Sequence, residues 1–314
     1  MHELPDGTLD PGSLVRHDVR HLGLQDPQGL AVDPVSGHLL ILDAAGPRIL
    51  RVVPQEDGAF GAAPIATVDL GPAGLASPRG LALDPATGHL HTVDRGAQAL
   101  YELTPAGDVV AVRDLGAFSL RDIQGMAFAP SGDLTDDPAT LSLYLADSGL
   151  GGATLSQAGD PSSHDEGAGE EVAQPGIPIF LPFVAREPGS GDVGSNTDTD
   201  LSGDAMSAEL RADAAAGEII EFTFTPVPAA AATTAEATLV RTIHTSAWSP
   251  PSPDPSGIDF APHLMTMLVS DGEVNEMPIF AGVNLWEMAP SGGLVNTLST
   301  TSYSDEPTGV AVNP

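Results

Sequence analysis

The chain has 314 residues, 41% of them hydrophobic but only 4% aromatic, and carries 43 acidic residues against 11 basic ones for a formal net charge of −32. So acidic a surface repels phosphate backbones and anionic lipid, which excludes nucleic-acid binding and favours divalent cations or simple solubilisation, as in a high-salt habitat. Cysteine is absent and every basic residue is arginine, so disulfides and thiolate metal sites are excluded, and no apolar run reaches the roughly 18 residues of a membrane span.

The first residues, Met1 to Ser13, lack the basic region followed by an apolar stretch that marks a secretory leader. Ser13 to Val19 is similar to Thr238 to Ile243, and both read as outer strands. From Pro27 the chain reads PQGLAVDPVSGHLLILD, and related phrases start at Pro78, Ile123, Pro255 and Pro307. Their glycines, Gly29, Gly80, Gly125, Gly257 and Gly309, are 51, 45, 132 and 52 residues apart. A strand-rich period of this length predicts a radial β architecture.

Each copy opens with a strand alternating apolar residues, such as Leu30 and Val32 or Leu81 and Leu83. Asp33 to Gly37 and Asp84 to Gly88 then supply Pro and Gly where a turn needs a fixed φ and a positive one. A second strand (His38 to Leu42, His89 to Val93) ends at Asp43 or Asp94. Third strands (Arg48 to Val53, Ala99 to Leu103) and outer strands (Ile65 to Leu70, Val109 to Leu115) complete four per period, the content of a β-propeller blade. With 35 Gly and 29 Pro, few windows are long enough for helical repeats. His38 and His89 share one repeat position and read as structural, and strand periodicity would hold His17 and His21 too far apart to chelate.

The expected organisation is blades one to three over residues 1–149, an acidic Gly/Ser-rich insertion over 150–216, and the rest of blade three, blade four and the start of the next over 217–314. Blade three breaks after Leu141 to Ala146 and resumes at Gly217 to Phe224. The insertion has too little apolar surface to order itself fully, except that Ile177 to Val184 is expected to dock on a blade edge. Only Thr308 to Asn313 follows as an inner strand, so the ring is expected to be incomplete by one or two blades.

Within the insertion, Asp198, Asp200, Ser202, Asp204 and Glu209, with Gly203, match the oxygen-ligand spacing of the twelve-residue calcium loop, in which glycine makes the sharp turn. Flanking Ser195 to Thr197 is not helical in pattern and Ala205 stands where a larger apolar residue is usual. The acids Asp43, Asp94, Asp147 and Asp271 end successive second strands, and repetition in every blade points to architecture. Departures from the repeat are better candidates for a binding face: Asp271, Glu273, Asn275 and Glu276 crowd one turn, and Asp305 and Glu306 precede the last copy. Hydrolase elbows, phosphate loops and zinc-helix motifs are absent from the sequence.

The phrase Pro-x-Gly-Val-Ala-Val-Asp/Asn-Pro-x-Thr-Gly-His-Leu resembles the NHL-type repeat and its relatives among six-bladed propellers, which include the senescence-marker/gluconolactonase proteins. The likeness covers residues 14–149 and 217–314 and implies a six-bladed fold. The lactonase relatives hold a divalent metal at the central channel with Glu, Asn and Asp. Tyr144 to Ser148 is similar to their Asp-Ser strand end, which carries over Asp147 alone as a channel metal ligand. Trp248 to Pro307 is similar to segments of secreted bacterial propellers, which implies an extracellular or cell-surface setting. The expectation is a monomeric, calcium-stabilised scaffold that binds a protein or carbohydrate at one face. The alternative is a metal-dependent hydrolase of lactonase or phosphoesterase type.

Overall fold

In the computed structural model the described residues are 17–53, 65–137, 139–148, 183–184, 217–224 and 233–313. Among them lie four antiparallel four-stranded blades. Blade one runs β1 (Pro27–Val32), β2 (Leu39–Asp43), β3 (Arg48–Val52) and β4 (Ala66–Asp69) in sequence order. Blade two repeats this with β5 (Pro78–Leu83), β6 (Leu90–Asp94), β7 (Ala99–Leu103) and β8 (Val109–Asp114). Blade three begins with β9 (Ile123–Pro130) and β10 (Leu141–Asp147). Beyond β11 (Phe183–Val184) it continues with β12 (Glu218–Phe224) and, past β13 (Thr233–Ala235), ends with β14 (Ala237–His244). Blade four is β15 (Pro255–Ala261), β16 (Thr266–Asp271), β17 (Leu285–Met288) and β18 (Leu294–Leu298), and β19 (Ala311–Val312) starts a fifth wedge.

Two short strands add to this plan. β13 lies parallel to β8 at the outer edge of blade two. β11 lies parallel to β19, with Phe183 opposite Ala311 and Val184 opposite Val312. Part of the apolar stretch in the insertion therefore docks at a strand edge, and it does so on the fifth wedge.

The five repeat glycines stand at equivalent points around one axis. A Cβ on Gly29 would lie 2.7 Å from the backbone nitrogen of Leu81, on Gly125 2.9 Å from the Cα of Gly257, and on Gly257 2.7 Å from the Cα of Gly309. A Cβ on Gly80 would meet the Met126 side chain at 3.0 Å, and one on Gly309 would find Leu30 Cδ1 at 3.5 Å. Each inner strand thus touches the next, and β19 lies against both β15 and β1. Removing the side chain is what lets the backbones approach.

Apolar burial follows the same circle. Leu40, Leu42, Leu81 and Leu90 fill the space between blades one and two, and Val93, Leu100, Leu143 and Phe222 that between two and three. Tyr144, Ile219, Met267 and Trp286 join three to four. Leu268, Leu285, Val310 and Val312 join four to the fifth wedge, whose Ala311 meets Ile41 and Leu50 of blade one. Middle strands therefore bury both faces, which is why β2 and β10 read as continuous apolar runs rather than strict alternation.

Four crossings or entries between wedges carry a 3-10 turn: Arg20–Leu22, Gly71–Ala73, Gly116–Phe118 and Thr245–Ala247. His21 therefore sits in a turn and not on a strand, a correction to the strand reading of the His17–His21 pair. The first three turns close on a left-handed residue, Gly23, Gly74 and Ser119. Ser119 adopts φ 55° where its two counterparts are glycine.

Candidate functional site at the ring mouth

The second-strand acids all lie at the end of the ring where the inner strands begin. Asp43, Asp94, Asp147 and Asp271 are buried. Asp43 accepts the Asp26 N–H at 2.9 Å and the Arg48 guanidinium at 2.8 Å. Asp94 accepts the N–H groups of Ala76 at 2.6 Å and Ala97 at 3.0 Å. Asp147 accepts those of Arg121 at 2.9 Å and Asp122 at 2.7 Å. Asp271 takes the Ser252 hydroxyl at 2.8 Å and the N–H groups of Asp254 and Val274, both at 2.9 Å. In every blade the carboxylate latches the segment leading into that blade's own inner strand.

The latches differ electrostatically. Burial works against charge on Asp43 and Asp94, yet the donors facing them hold both carboxyls below the usual range. For Asp271 burial prevails and the carboxyl is raised. Asp254, just before β15, is pushed up to about 7 by burial and by the charges of Asp271 and Glu273, against a hydrogen bond from Ser148. Charge is least comfortable in the sector of blade four.

Above that sector sit the remaining face residues. Glu273 and Glu276 are exposed, Asn275 is half-buried with its Oδ1 unpartnered, and Asp305 and Glu306 are exposed. Burial and the charges of Glu276, Asp271 and Glu306 raise the Glu273 carboxyl. The turn Val274–Glu276 and the run into β19 therefore form one acidic arc, with Asp271 beneath it rather than on it.

Among the described residues no three Asp, Glu or His side chains converge to hold a metal ion. Asp147, the channel ligand implied by resemblance, is held in its latch. The calcium-loop residues Asp198, Asp200, Ser202, Asp204 and Glu209 lie outside the described residues. No described helix is long and apolar enough to cross a membrane.

Two features escaped the sequence reading. Asp259 stands where the other copies have Ala31, Ala82, Ala127 and Ala311, and its carboxylate accepts the Val312 N–H of β19 at 2.7 Å. Arg79, Arg95 and Arg121 gather in one sector of an acidic molecule. Aligning the copies column by column exposes both, since each breaks its column.

The sheet order and the circle of inner strands define this chain as an all-β propeller, with four complete blades among the described residues. Among solved structures it is similar to hydrazine synthase of Kuenenia stuttgartiensis, at 13% identity over 92% of this chain and 52% of that one, with a TM-score of 0.39. It is similar to a gluconolactonase of Xanthomonas campestris at 15% identity over 87% and 62%, with a TM-score of 0.38. A chain of the nidogen/laminin complex gives 12% identity over 91% and 84%, with a TM-score of 0.40. The chain thus spans about half the length of the hydrazine synthase chain and 62% of the gluconolactonase. No family model and no curated protein matches it.

Proposed function

We propose that this chain is an extracellular, NHL-like binding propeller whose acidic arc takes a basic segment of a partner protein. One observation supports this over the hydrolase reading. The strand-end carboxylates are engaged in backbone latches, whereas Glu273, Glu276, Asp305 and Glu306 face solvent together. Exposed like charges attract and orient a cationic surface, raising association rate and specificity more than raw affinity. A neutral carbohydrate gains little from such a field. The six-bladed count belongs to this reading too, and it requires a longer ring in which a further wedge parts β19 from β1.

The test is calorimetric titration with an octa-arginine peptide. We expect Glu273→Gln/Glu276→Gln/Glu306→Gln to weaken binding at least tenfold at 0.15 M salt, though the rest of the negative surface is intact. Equal affinity for the triple variant rejects the arc. Divalent-metal-dependent lactone or phosphodiester hydrolysis, lost in an Asp147→Asn variant whose melting temperature is unchanged, would establish the alternative.

Calcium stabilisation rests on the ligand spacing Asp198, Asp200, Ser202, Asp204 and Glu209, and on the need of a cysteine-free extracellular chain for another staple. Saturating calcium is expected to raise the melting temperature of the full chain, since a ligand that binds only the native state stabilises it. Asp198→Ala/Glu209→Ala should remove most of that rise. An identical rise in the double variant rejects the loop.

A further inference from the structure

Blades two and three break the acidic pattern of the mouth. The residue before the inner strand is Asp26, Asp122, Asp254 or Glu306 in the other copies but Ser77 in blade two. The second residue of the inner strand is Gln28, Gln124, Ser256 or Thr308 elsewhere and Arg79 here. Asp94 is followed by Arg95, where the equivalent residues are Ala44, Ser148 and Gly272, and Arg121 leads into blade three. Three of the chain's 11 basic residues thus fall in one sector, where one acid of the ring is also missing.

Between these two blades lies a groove of about 160 Å³, with Val93, Leu115 and Ile123 along it and Arg95 and Arg121 among its lining. Arg95 is 41% exposed and spends one guanidinium nitrogen on Asp122 at 3.1 Å. The Arg121 guanidinium has no partner among the described residues, although its backbone N–H is fixed by the Asp147 latch. A guanidinium presents five donors in a planar fork that matches a carboxylate, so both arginines retain donors for a ligand.

Strained backbone lies at and beside the groove. Gln98, which lines it, has φ 48°, and Ser119, next to the lining residue Leu120, has φ 55°. Left-handed conformations of non-glycine residues cost on the order of 1 kcal/mol or more and gather at ligand sites. Two of the three such residues among the described ones flank this groove.

We propose that the groove between blades two and three binds a small monocarboxylate with a short apolar tail. Arg95 and Arg121 hold the carboxylate, and the tail lies against half-buried Leu120, above a floor formed by the buried Val93, Leu115 and Ile123. The volume admits a chain of about six carbons, and the sector is an anion site in a molecule that elsewhere repels anions.

Hexanoate is the probe, with hexan-1-ol and hexylammonium as matched controls, read by saturation-transfer NMR and calorimetry on the full chain. We expect saturable hexanoate binding near 1 mM, an affinity ordinary for a ligand of this size. The two controls should bind at least tenfold more weakly. Arg95→Gln and Arg121→Gln should each weaken hexanoate at least tenfold without moving the melting temperature, because both side chains reach solvent. Arg51→Gln, on blade one, should leave it unchanged. Equal binding of hexan-1-ol, unchanged affinity in the Arg95→Gln/Arg121→Gln double variant, or no hexanoate binding at 20 mM (about twentyfold the expected constant) overturns the site. The acidic arc is separate: the Glu273/Glu276/Glu306 variant should bind hexanoate normally, so either proposal can fail alone.

Discussion

Gly257→Ala is expected to destabilise the fold by about 3 kcal/mol or more, while Gly309→Ala changes stability by less than about 1 kcal/mol. Both glycines hold the same repeat position and neither has a positive φ, so backbone strain does not separate them. Space does. A Cβ on Gly257 would fall 2.6 Å from the Ser270 hydroxyl and 2.7 Å from both the Gly309 Cα and the Val310 nitrogen. Ser270 is fully buried, and two of the three obstacles are backbone, so relief requires β15 and β19 to part. On Gly309 the nearest atom is the end of the Leu30 side chain at 3.5 Å, ordinary contact distance. Alanine there also lowers the entropy of the unfolded chain, a small gain against any repacking. Gly29→Ala should behave like Gly257→Ala, because its neighbours are the backbone of Gly80 and Leu81. Urea midpoints with unchanged slopes give the comparison directly. Similar midpoints for Gly257→Ala and Gly309→Ala would mean that the inner strands are not as close as described.

Much of the ring was legible because this close approach leaves a mark in sequence. A glycine followed by apolar residues, a Pro–Gly turn and a second strand ending in Asp recurs for one reason: each wedge must pass its neighbour at the same distance. The strands predicted at Ala99 to Leu103 and Arg48 to Val53 are found within a residue, as are the outer strands predicted at Ile65 to Leu70 and Val109 to Leu115. The outer-strand reading of Ser13 to Val19 does not hold over its described part, 17–19, which is irregular and runs into a 3-10 turn. The added strands β11 and β13 were not legible as strands. Two or three residues in parallel pairing carry no period, and their partners are far off in sequence. Phe183 and Val184 stood out only as part of an apolar stretch in polar surroundings. At the mouth, the repetition of Asp43, Asp94, Asp147 and Asp271 signalled architecture, and the hydrogen bonds show what they hold. The arginine sector is invisible in the chain's overall charge, because what distinguishes Arg79, Arg95 and Arg121 is the column and the blade they occupy.

The break at Asp259 leads to an effect on pH dependence that runs against the usual behaviour of carboxylates. Burial pushes its carboxyl up to about 7, and the N–H groups of Val312 and Phe260 pull it back only in part. In the unfolded chain an Asp titrates near 4. Between those values the folded protein keeps a proton that the unfolded chain has released, so this group's contribution is fully present below about pH 4. It is lost as pH rises towards and through about 7. A gap of that size corresponds to about 4 kcal/mol, and because part of the side chain meets water we expect about 2–3 kcal/mol. Asp259→Asn retains an acceptor for the Val312 N–H and cannot ionise. It should therefore match the native chain at pH 4 and exceed its stability by about 2–3 kcal/mol at pH 8. Other groups titrate in the same window: burial holds His91 down to about 4, which removes stability as pH falls, and Asp254 is raised like Asp259. Both are common to the two proteins, as is the relief of a −32 surface on acidification, so the difference between the two stability curves isolates one carboxylate. Parallel curves from pH 4 to pH 8 would mean that Asp259 is solvated. A rising difference would identify the tie between blade four and β19 as the point where alkaline pH loosens the ring.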